Sequence, residues 1–222
     1  AANSLKTHES DMPGGGMSQN IERPDGESMP QMGEKPDGES MPQMGEKPDG
    51  ENMPQDTTTD ESSTSTKGIK AGGGMYLNGG TYQIDSADDS IHSNANITIA
   101  DGTYTLATGD DGVHADDALI VNGGTITVTE SYEGLEGLAV TINDGTIDIT
   151  ASDDGINTAG EKMELNGGYI HILAGGDGVD SNGDLTINGG EIYIDGPSDN
   201  GNSAIDYGDR SSAYVNGGML VA

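Results

Sequence analysis

Residues 119–128 read LIVNGGTITV, and every second residue on either side of their Asn-Gly-Gly turn is apolar. Leu119 and Val121 precede the turn, and Ile126 and Val128 follow it. An apolar residue at every second position is typical of a β-strand with one buried face, and Asn followed by Gly favours a tight turn. The segment therefore predicts two short strands joined by a turn.

The same segment recurs along the chain from about residue 68. The turn position repeats at spacings of 22, 22, 21, 23, 22 and 28 residues, at Asn78, Ala100, Asn122, Asn143, Asn166, Asn188 and Asn216. A period near 22 residues with three short strands per repeat is typical of a parallel β-helix, in which each repeat forms one coil. We expect the Asn side chains at this position to hydrogen-bond from coil to coil, with an interruption at Ala100.

Apolar residues stand at fixed distances from each turn, so stacked coils would place them in columns. The columns lie three residues and one residue before the turn position, and four, six and thirteen residues after it. The last column consists of Ile91, Val113, Leu135, Ile156, Val179 and, after a longer loop, Ile205. We therefore predict an all-β fold, a single-stranded right-handed parallel β-helix over residues 68–222, with about six coils of ~22 residues.

Residues 1–67 have a different composition. A 12-residue repeat reads RPDGESMPQMGE at 23–34 and KPDGESMPQMGE at 35–46, and a Ser/Thr/Asp tract follows it at 56–66. Pro-Asp-Gly and Met-Pro suit neither a helix nor a central strand, and the segment has too few apolar residues to form a core. We predict that residues 1–67 form a disordered or extended low-complexity linker.

The composition excludes several kinds of partner and site. The 222 residues carry 39 acidic and 8 basic side chains, a formal net charge of −31, which argues against nucleic acid and anionic membranes as partners. The chain has no Cys, which excludes disulfides and thiolate metal sites. No apolar run approaches the ~18 residues of a membrane-spanning helix, and no signal peptide is recognisable. We expect a secreted or cell-surface-attached protein of a Gram-positive bacterium.

Acidic residues also recur in register, beginning with SADDSIHSN at 86–94 and TGDDGVHAD at 108–116. Ten and eleven residues after each turn position stand Asp88-Asp89, Asp110-Asp111, Tyr132-Glu133, Asp153-Asp154, Gly176-Asp177 and Ser198-Asp199. Three residues after the second member of these pairs stand His92, His114, Glu136, Asn157, Asp180 and, after an insertion, Asp206. We predict that each pair lies on the turn before the third strand of its coil.

Stacked coils lie about 4.8 Å apart, so the carboxylates would repel one another. Two unit charges at this distance repel by roughly 1 kcal/mol in water and by about 3.5 kcal/mol at an effective dielectric constant near 20. The basic residues after Gly68 number 3, against 25 acidic ones, giving this region a net charge of −22, and none interleaves with the column. Hard oxygens in this arrangement favour Ca²⁺ over Mg²⁺, which requires a stricter octahedron.

We therefore predict Ca²⁺ as the cofactor. The predicted ligands are Asp88, Asp89, Asp110, Asp111, Glu133, Asp153, Asp154, Asp177 and Asp180. The two doubled pairs Asp88-Asp89 and Asp110-Asp111 are the first choice, because they stack directly. Solvent-facing Asp-Gly turns are the alternative reading of the same residues. We expect His92 and His114 to be outer-surface residues and not calcium ligands, since imidazole is a poor ligand for this ion.

The repeat resembles a known group of proteins. SADDSIH, TGDDGVHAD, SDDGINT and GGDGVDS, together with the Asn-Gly-Gly turns, are similar to the calcium-binding right-handed parallel β-helix carbohydrate-binding proteins of clostridia and related Firmicutes. That group is similar in fold to family-nine pectate lyases. The resemblance covers about residues 70–222, and it implies calcium held by paired Asp residues and binding of acidic sugars or cellulose at cell surfaces. Glu133 and Gly176 depart from the doubled-Asp pattern.

We expect a non-catalytic function, the calcium-dependent binding of an acidic polysaccharide such as polygalacturonate or of other plant cell-wall carbohydrate. The resemblance also implies that a pectate lyase of this fold would need a Lys or Arg base beside the calcium. Lys162 lies away from the acidic column in the predicted register, and Lys70 and Arg210 lie at the two ends of the region, which makes an enzyme the weaker hypothesis. The remaining alternative is a structural surface or matrix protein that self-associates into fibres through the open ends of the β-helix.

Overall fold

The computed structural model describes residues 66–197 and 200–222. The predicted linker at 1–67 lies outside the described residues except for Thr66 and Lys67, and Ser198 and Asp199 also lie outside them. The described residues form no helix, and they contain no segment that could cross a membrane as a helix. Their strands are β1 (Ile69–Ala71), β2 (Met75–Ser86), β3 (Ile91–Ser93), β4 (Ile97–Thr108), β5 (Val113–Val121), β6 (Thr125–Glu130), β7 (Leu135–Ile142), β8 (Thr146–Ala151), β9 (Ile156–Thr158), β10 (Met163–Leu165), β11 (Tyr169–Ala174), β12 (Val179–Ser181), β13 (Leu185–Ile187), β14 (Glu191–Asp195), β15 (Ile205–Tyr207), β16 (Ala213–Val215) and β17 (Met219–Val221).

These strands form an all-parallel β-solenoid of about six coils, which confirms the predicted fold class. The first face of each coil precedes the turn position and stacks β2, β4, β5, β7, β10, β13 and β16. The second face follows the turn and stacks β2, β4, β6, β8, β11, β14 and β17. The third face stacks β1, β3, β5, β7, β9, β12 and β15.

The apolar columns predicted from the sequence fill the interior. In the third-face column, Ile91 pairs with Val113, Val113 with Leu135, and Leu135 with Ile156. These four side chains are fully buried, as are most members of the other columns. Because the side chains alternate along each strand, the residue after each buried one points outward and carries the polar columns of the surface.

The turn position carries the expected amide ladder. The Nδ2 atom of each Asn donates to the Oδ1 atom of the Asn one coil before it, at 2.7 to 2.8 Å, through Asn122, Asn143, Asn166, Asn188 and Asn216. The Gly residue two positions further on has a positive φ at all seven turn positions, for example 91° at Gly124. This backbone conformation is rare for residues with a Cβ atom, which explains the recurrent glycine.

We predict that Asn166→Ala lowers the free energy of unfolding by about 1–2 kcal/mol, because it removes two ladder hydrogen bonds. Asn78→Ala is the matched control, since Asn78 pairs with Asp101 in the next coil, whose turn position is Ala100, and Ala has no amide for a ladder bond. Urea unfolding followed by circular dichroism measures both. Equal losses for the two variants would show that the ladder adds nothing beyond the turn preference of Asn.

Candidate functional site

Two polar columns run side by side where each coil enters the third face. The turn column contains Lys67, Asp89, Asp111, Glu133, Asp154 and Asp177, each two residues before a third-face strand. The strand column contains Lys70, His92, His114, Glu136, Asn157, Asp180 and Asp206, which are paired in this order through the third-face register. The strand column thus follows the predicted order, and its side chains approach those of the turn column.

The first end of the turn column contains a cation that the sequence analysis assigned to the linker. Lys67 Nζ forms an ion pair with Asp88 Oδ1 at 3.2 Å and a second one with Asp89 Oδ2. Burial opposes the charge on Lys67, but the hydrogen bonds with Asp89 and Asp88 outweigh it and raise the pKa of the amine. The sequence analysis counted basic residues only after Gly68 and therefore did not include this ion pair.

Histidines lie next to this cation. The side chain of His92 is buried, and its Nδ1 atom lies 2.8 Å from Asp89 Oδ2, so the expectation of an outer-surface position is wrong for His92. His114 is partly exposed, and its Nδ1 atom lies 3.0 Å from Asp111 Oδ2 and 3.1 Å from Glu136 Oε2. The hydrogen bond with Asp111, which outweighs burial, and the charges of the surrounding carboxylates raise the pKa of His114 to about 9.

Glutamates occupy the middle of the two columns. Burial, together with nearby carboxylates, raises the pKa of Glu133 to about 8 against the opposing hydrogen bond from Asn157. Burial also raises the pKa of Glu136 to about 7, against the opposing charge of His114. Both oxygens of Glu133 accept from Asn157 Nδ2, at 3.1 and 3.2 Å. The middle of the site therefore holds protons at neutral pH.

The far end consists of carboxylates. One oxygen each from Asp154, Asp177 and Asp180 lies within 4.8 Å of the others, a set that we call the aspartate group. The Asp177 backbone N–H donates to Asp154 Oδ1 at 2.7 Å, which fixes one of these carboxylates. Among the described residues, no ion pair involves Asp154 or Asp180. Burial is the main cause that raises the pKa of Asp154 to about 6 and that of Asp180 to about 7, and the charges of neighbouring carboxylates raise both pKa values further.

Two further features surround the aspartate group. The Oδ1 atom of Asn157, the strand-column neighbour of Asp180, is buried and has no hydrogen-bond partner among the described residues. A Cβ atom at Gly176 would lie 2.5 Å from the Oδ1 atoms of both Asp153 and Asp154. Glycine departs from the doubled-Asp pattern here because the carboxylates of the preceding coil occupy the space of its side chain.

The predicted ligands thus fall into different surroundings. Asp88, Asp89 and Asp110 form one group within 4.8 Å, beside Lys67, and Asp154, Asp177 and Asp180 form another. Asp111 lies instead with His114 and Glu136, Glu133 bonds to Asn157, and Asp153 lies over Gly176. The sequence analysis missed Lys67 and Asn157 as participants. A spacing of 22 residues between Lys67 and Asp89 was the available signal for the first of them.

The comparison with protein families gives one result that covers most of the chain. A family model described as "Carbohydrate-binding domain-containing protein" matches twice, over residues 14–112 and 110–218. The first match includes Asp88, Asp89 and Asp110, and the second includes the whole aspartate group. No curated protein and no solved structure matches the chain.

We predict that the chelator-treated protein loses stability as the pH rises from about 5 to about 8. In the unfolded chain, Asp154, Asp180, Glu133 and Glu136 have their ordinary low pKa values, so over this range the folded protein holds protons that the unfolded chain has released. His114 acts in the same direction, because its stabilisation is complete below its ordinary pKa of 6.5 and is lost as the pH rises through about 9.

Urea unfolding at the two pH values, in chelator, measures this effect. Asp180→Asn should reduce the pH dependence, since Asn cannot titrate. A stability that is constant or rises over the interval would contradict the prediction.

Proposed function

Because this chain belongs to the family of carbohydrate-binding domain-containing proteins, we propose that it is an extracellular module that binds an acidic polysaccharide through Ca²⁺. The observation that carries the proposal is the aspartate group of Asp154, Asp177 and Asp180. Polygalacturonate is the representative ligand, since it presents one carboxylate on each sugar ring.

The aspartate group fits calcium by size and by chemistry. Ca²⁺ takes six to eight oxygens at 2.3–2.6 Å, so two ligands on opposite sides of the ion lie at most about 5 Å apart, close to the 4.8 Å limit met by this group. The unpartnered Oδ1 atom of Asn157 offers an amide oxygen, which is also a calcium ligand. Gly176 keeps the space beside Asp153 and Asp154 free of a side chain.

The charges favour the aspartate group over the first end of the column. Lys67 already neutralises part of Asp88 and Asp89, and it would repel a cation placed on the Asp88–Asp89–Asp110 group. At the aspartate group, a divalent ion instead replaces the protons that hold Asp154 and Asp180 partly neutral. We therefore place calcium first at Asp154, Asp177 and Asp180, with the Asp88 group as a second site.

The net charge supports an acidic polysaccharide as the ligand. A region with a net charge of −22 repels a polyuronate unless metal ions bridge the carboxylates of protein and sugar. Neutral sugars usually need aromatic platforms, and the chain has no Trp or Phe. Exposed tyrosines do occur, but they are scattered over the first face, the second face and a turn, at Tyr76, Tyr169, Tyr214 and Tyr132.

The basic residues support binding without catalysis. A lyase needs a neutral base beside the metal, and Lys67 is the basic residue that lies beside a predicted metal group. Its raised pKa keeps Lys67 protonated at neutral pH, so it acts as a counter-ion. Lys162 is paired with Glu164 at 2.9 Å, away from both columns.

Self-association into fibres is the second candidate function, and a separate observation favours it. Val215 of β16 and Leu220 of β17, which continue apolar columns of the solenoid, are exposed. An open end of parallel strands can pair with another β-sheet edge. Sedimentation of the full chain with millimolar calcium would detect such assemblies.

We predict that Asp180→Asn weakens calcium binding by roughly tenfold or more, because it removes a charged ligand from the aspartate group. Asp85→Asn is the matched control, since it removes one negative charge from an exposed position on the second face. Isothermal titration with Ca²⁺ on chelator-treated protein measures both. Equal affinities for the two variants would place the ion elsewhere.

We also predict that immobilised polygalacturonate retains the protein in calcium and releases it in chelator, since the polymer is held through bridging ions. Asp85→Asn should be retained like the unmodified protein, and Asp180→Asn should be retained less. Retention that survives the chelator would contradict a metal bridge, and unsaturated uronate products, read by their absorbance, would indicate a lyase.

A further inference from the structure

We propose that Asn78 is a site of spontaneous deamidation and that the amide ladder protects the other Asn-Gly-Gly turns from the same reaction. Five asparagines at the turn position are followed by Gly, and they are Asn78, Asn122, Asn166, Asn188 and Asn216. Glycine has no side chain beside its backbone nitrogen, so attack by this nitrogen on the preceding side chain meets little steric hindrance. The solenoid therefore carries a reactive sequence in most of its coils.

The reaction needs only the asparagine, the glycine that follows it and water. The backbone nitrogen of the glycine attacks Cγ of the asparagine, so that an N–Cγ bond forms and the Cγ–Nδ2 bond breaks. Nδ2 leaves as ammonia, with the electron pair of the broken bond and the proton that the backbone nitrogen loses. Water then opens the cyclic succinimide at either carbonyl carbon, which yields aspartate or isoaspartate.

The ladder holds these five side chains to different degrees. Asn166 and Asn188 each form two ladder hydrogen bonds of 2.7 to 2.8 Å, one through Nδ2 and one through Oδ1. Asn122 and Asn216, at the two ends of the ladder, form one such bond each. The side chain of Asn78 forms no hydrogen bond with any described residue, and its register partner is Asp101.

Ladder hydrogen bonds oppose the reaction directly. Attack on Cγ requires the asparagine side chain to turn toward the nitrogen of the following glycine. In the ladder this rotation breaks every hydrogen bond that the side chain makes, and the leaving atom Nδ2 is itself a ladder donor. Each bond that must break first raises the barrier and slows the reaction.

Other features of the turns do not separate Asn78 from the rest. Asn78 and Asn188 are both exposed to solvent, and Asn78 and Asn166 share the sequence Leu-Asn-Gly-Gly. The attacking nitrogen is also available within the ladder, since the glycines after the four ladder asparagines donate no backbone hydrogen bond to a described residue, at Gly123, Gly167, Gly189 and Gly217. The difference that remains is the number of ladder bonds.

The product would disturb the ladder more than it would disturb the first turn. An ionised aspartate has no side-chain donor, so within the ladder it would place an oxygen against Oδ1 of the preceding amide. Isoaspartate would also lengthen the backbone and displace the register of the stacked coils. At Asn78 no ladder bond is lost, and the new charge would lie beside Asp101.

The test follows the unmodified full chain during incubation at mildly alkaline pH. Digestion with pepsin in acid halts the reaction, mass spectrometry of the peptides measures conversion at each asparagine, and isoaspartyl methyltransferase labels isoaspartate. We expect Asn78 to convert roughly tenfold or more faster than Asn166, because two ordinary hydrogen bonds raise the barrier by about that factor. Asn122 and Asn216 should be intermediate. Equal rates at Asn78 and Asn166 would overturn the proposal.

A variant tests the ladder itself. Asn143→Ala removes no Asn-Gly sequence, because Asn143 is followed by Asp144. The variant takes one ladder bond from Asn122 and one from Asn166, and it leaves both bonds of Asn188. Conversion should become several-fold faster at Asn122 and Asn166 and stay unchanged at Asn188, the control within the same molecule.

The outcomes of this variant are distinct. An unchanged rate at Asn166, or a rise at Asn188 as large as that at Asn166, would overturn the ladder as the cause of protection. The comparison of Asn78 with Asn166 in the unmodified chain does not require the variant to fold, so the proposal stays testable without it.

Discussion

Parallel stacking in register is the constraint on which the rest of this molecule depends. Each coil places its side chains directly beside the equivalent side chains of the next coil, at a separation near 4.8 Å. For Ile, Leu and Val this repetition buries apolar surface on both sides of every residue, and for Asn it forms the ladder from Asn122 to Asn216. For carboxylates the same repetition brings like charges together, so the acidic columns exist only with compensation.

The two ends of the acidic columns are compensated in different ways. At the first end, Lys67, His92 and His114 lie against the carboxylates of Asp89 and Asp111. At the far end, the pKa values of Asp154 and Asp180 are raised to about 6 and about 7, so protons remove only part of the charge of these carboxylates. Protonation offsets this repulsion only weakly near neutral pH, because the carboxylates release protons to the surrounding water. A divalent cation neutralises two carboxylates at once, which is why we assign calcium to this end.

The columns could be read from the sequence because their distances from the Asn-Gly-Gly turn are constant. Those distances do not give the direction of a side chain relative to a neighbouring column, which is why the contact of His92 with Asp89 was not foreseen. Lys67 was missed for another reason, because its coil has no recognisable turn before it and the residue was therefore counted with the linker. Asn157 carries no charge, and only the unpartnered Oδ1 atom in the folded structure draws attention to it.

Glu133 separates the two ends. With a pKa raised to about 8, its side chain is mainly protonated at neutral pH, and it bonds to the uncharged Asn157. A neutral rung of this kind removes the repulsion that an ionised Glu133 would exert on Asp111 and Asp154, and it leaves those two carboxylates two coils apart. A cation bound at the aspartate group would therefore add little repulsion at the end of the columns that contains Lys67, His92 and His114.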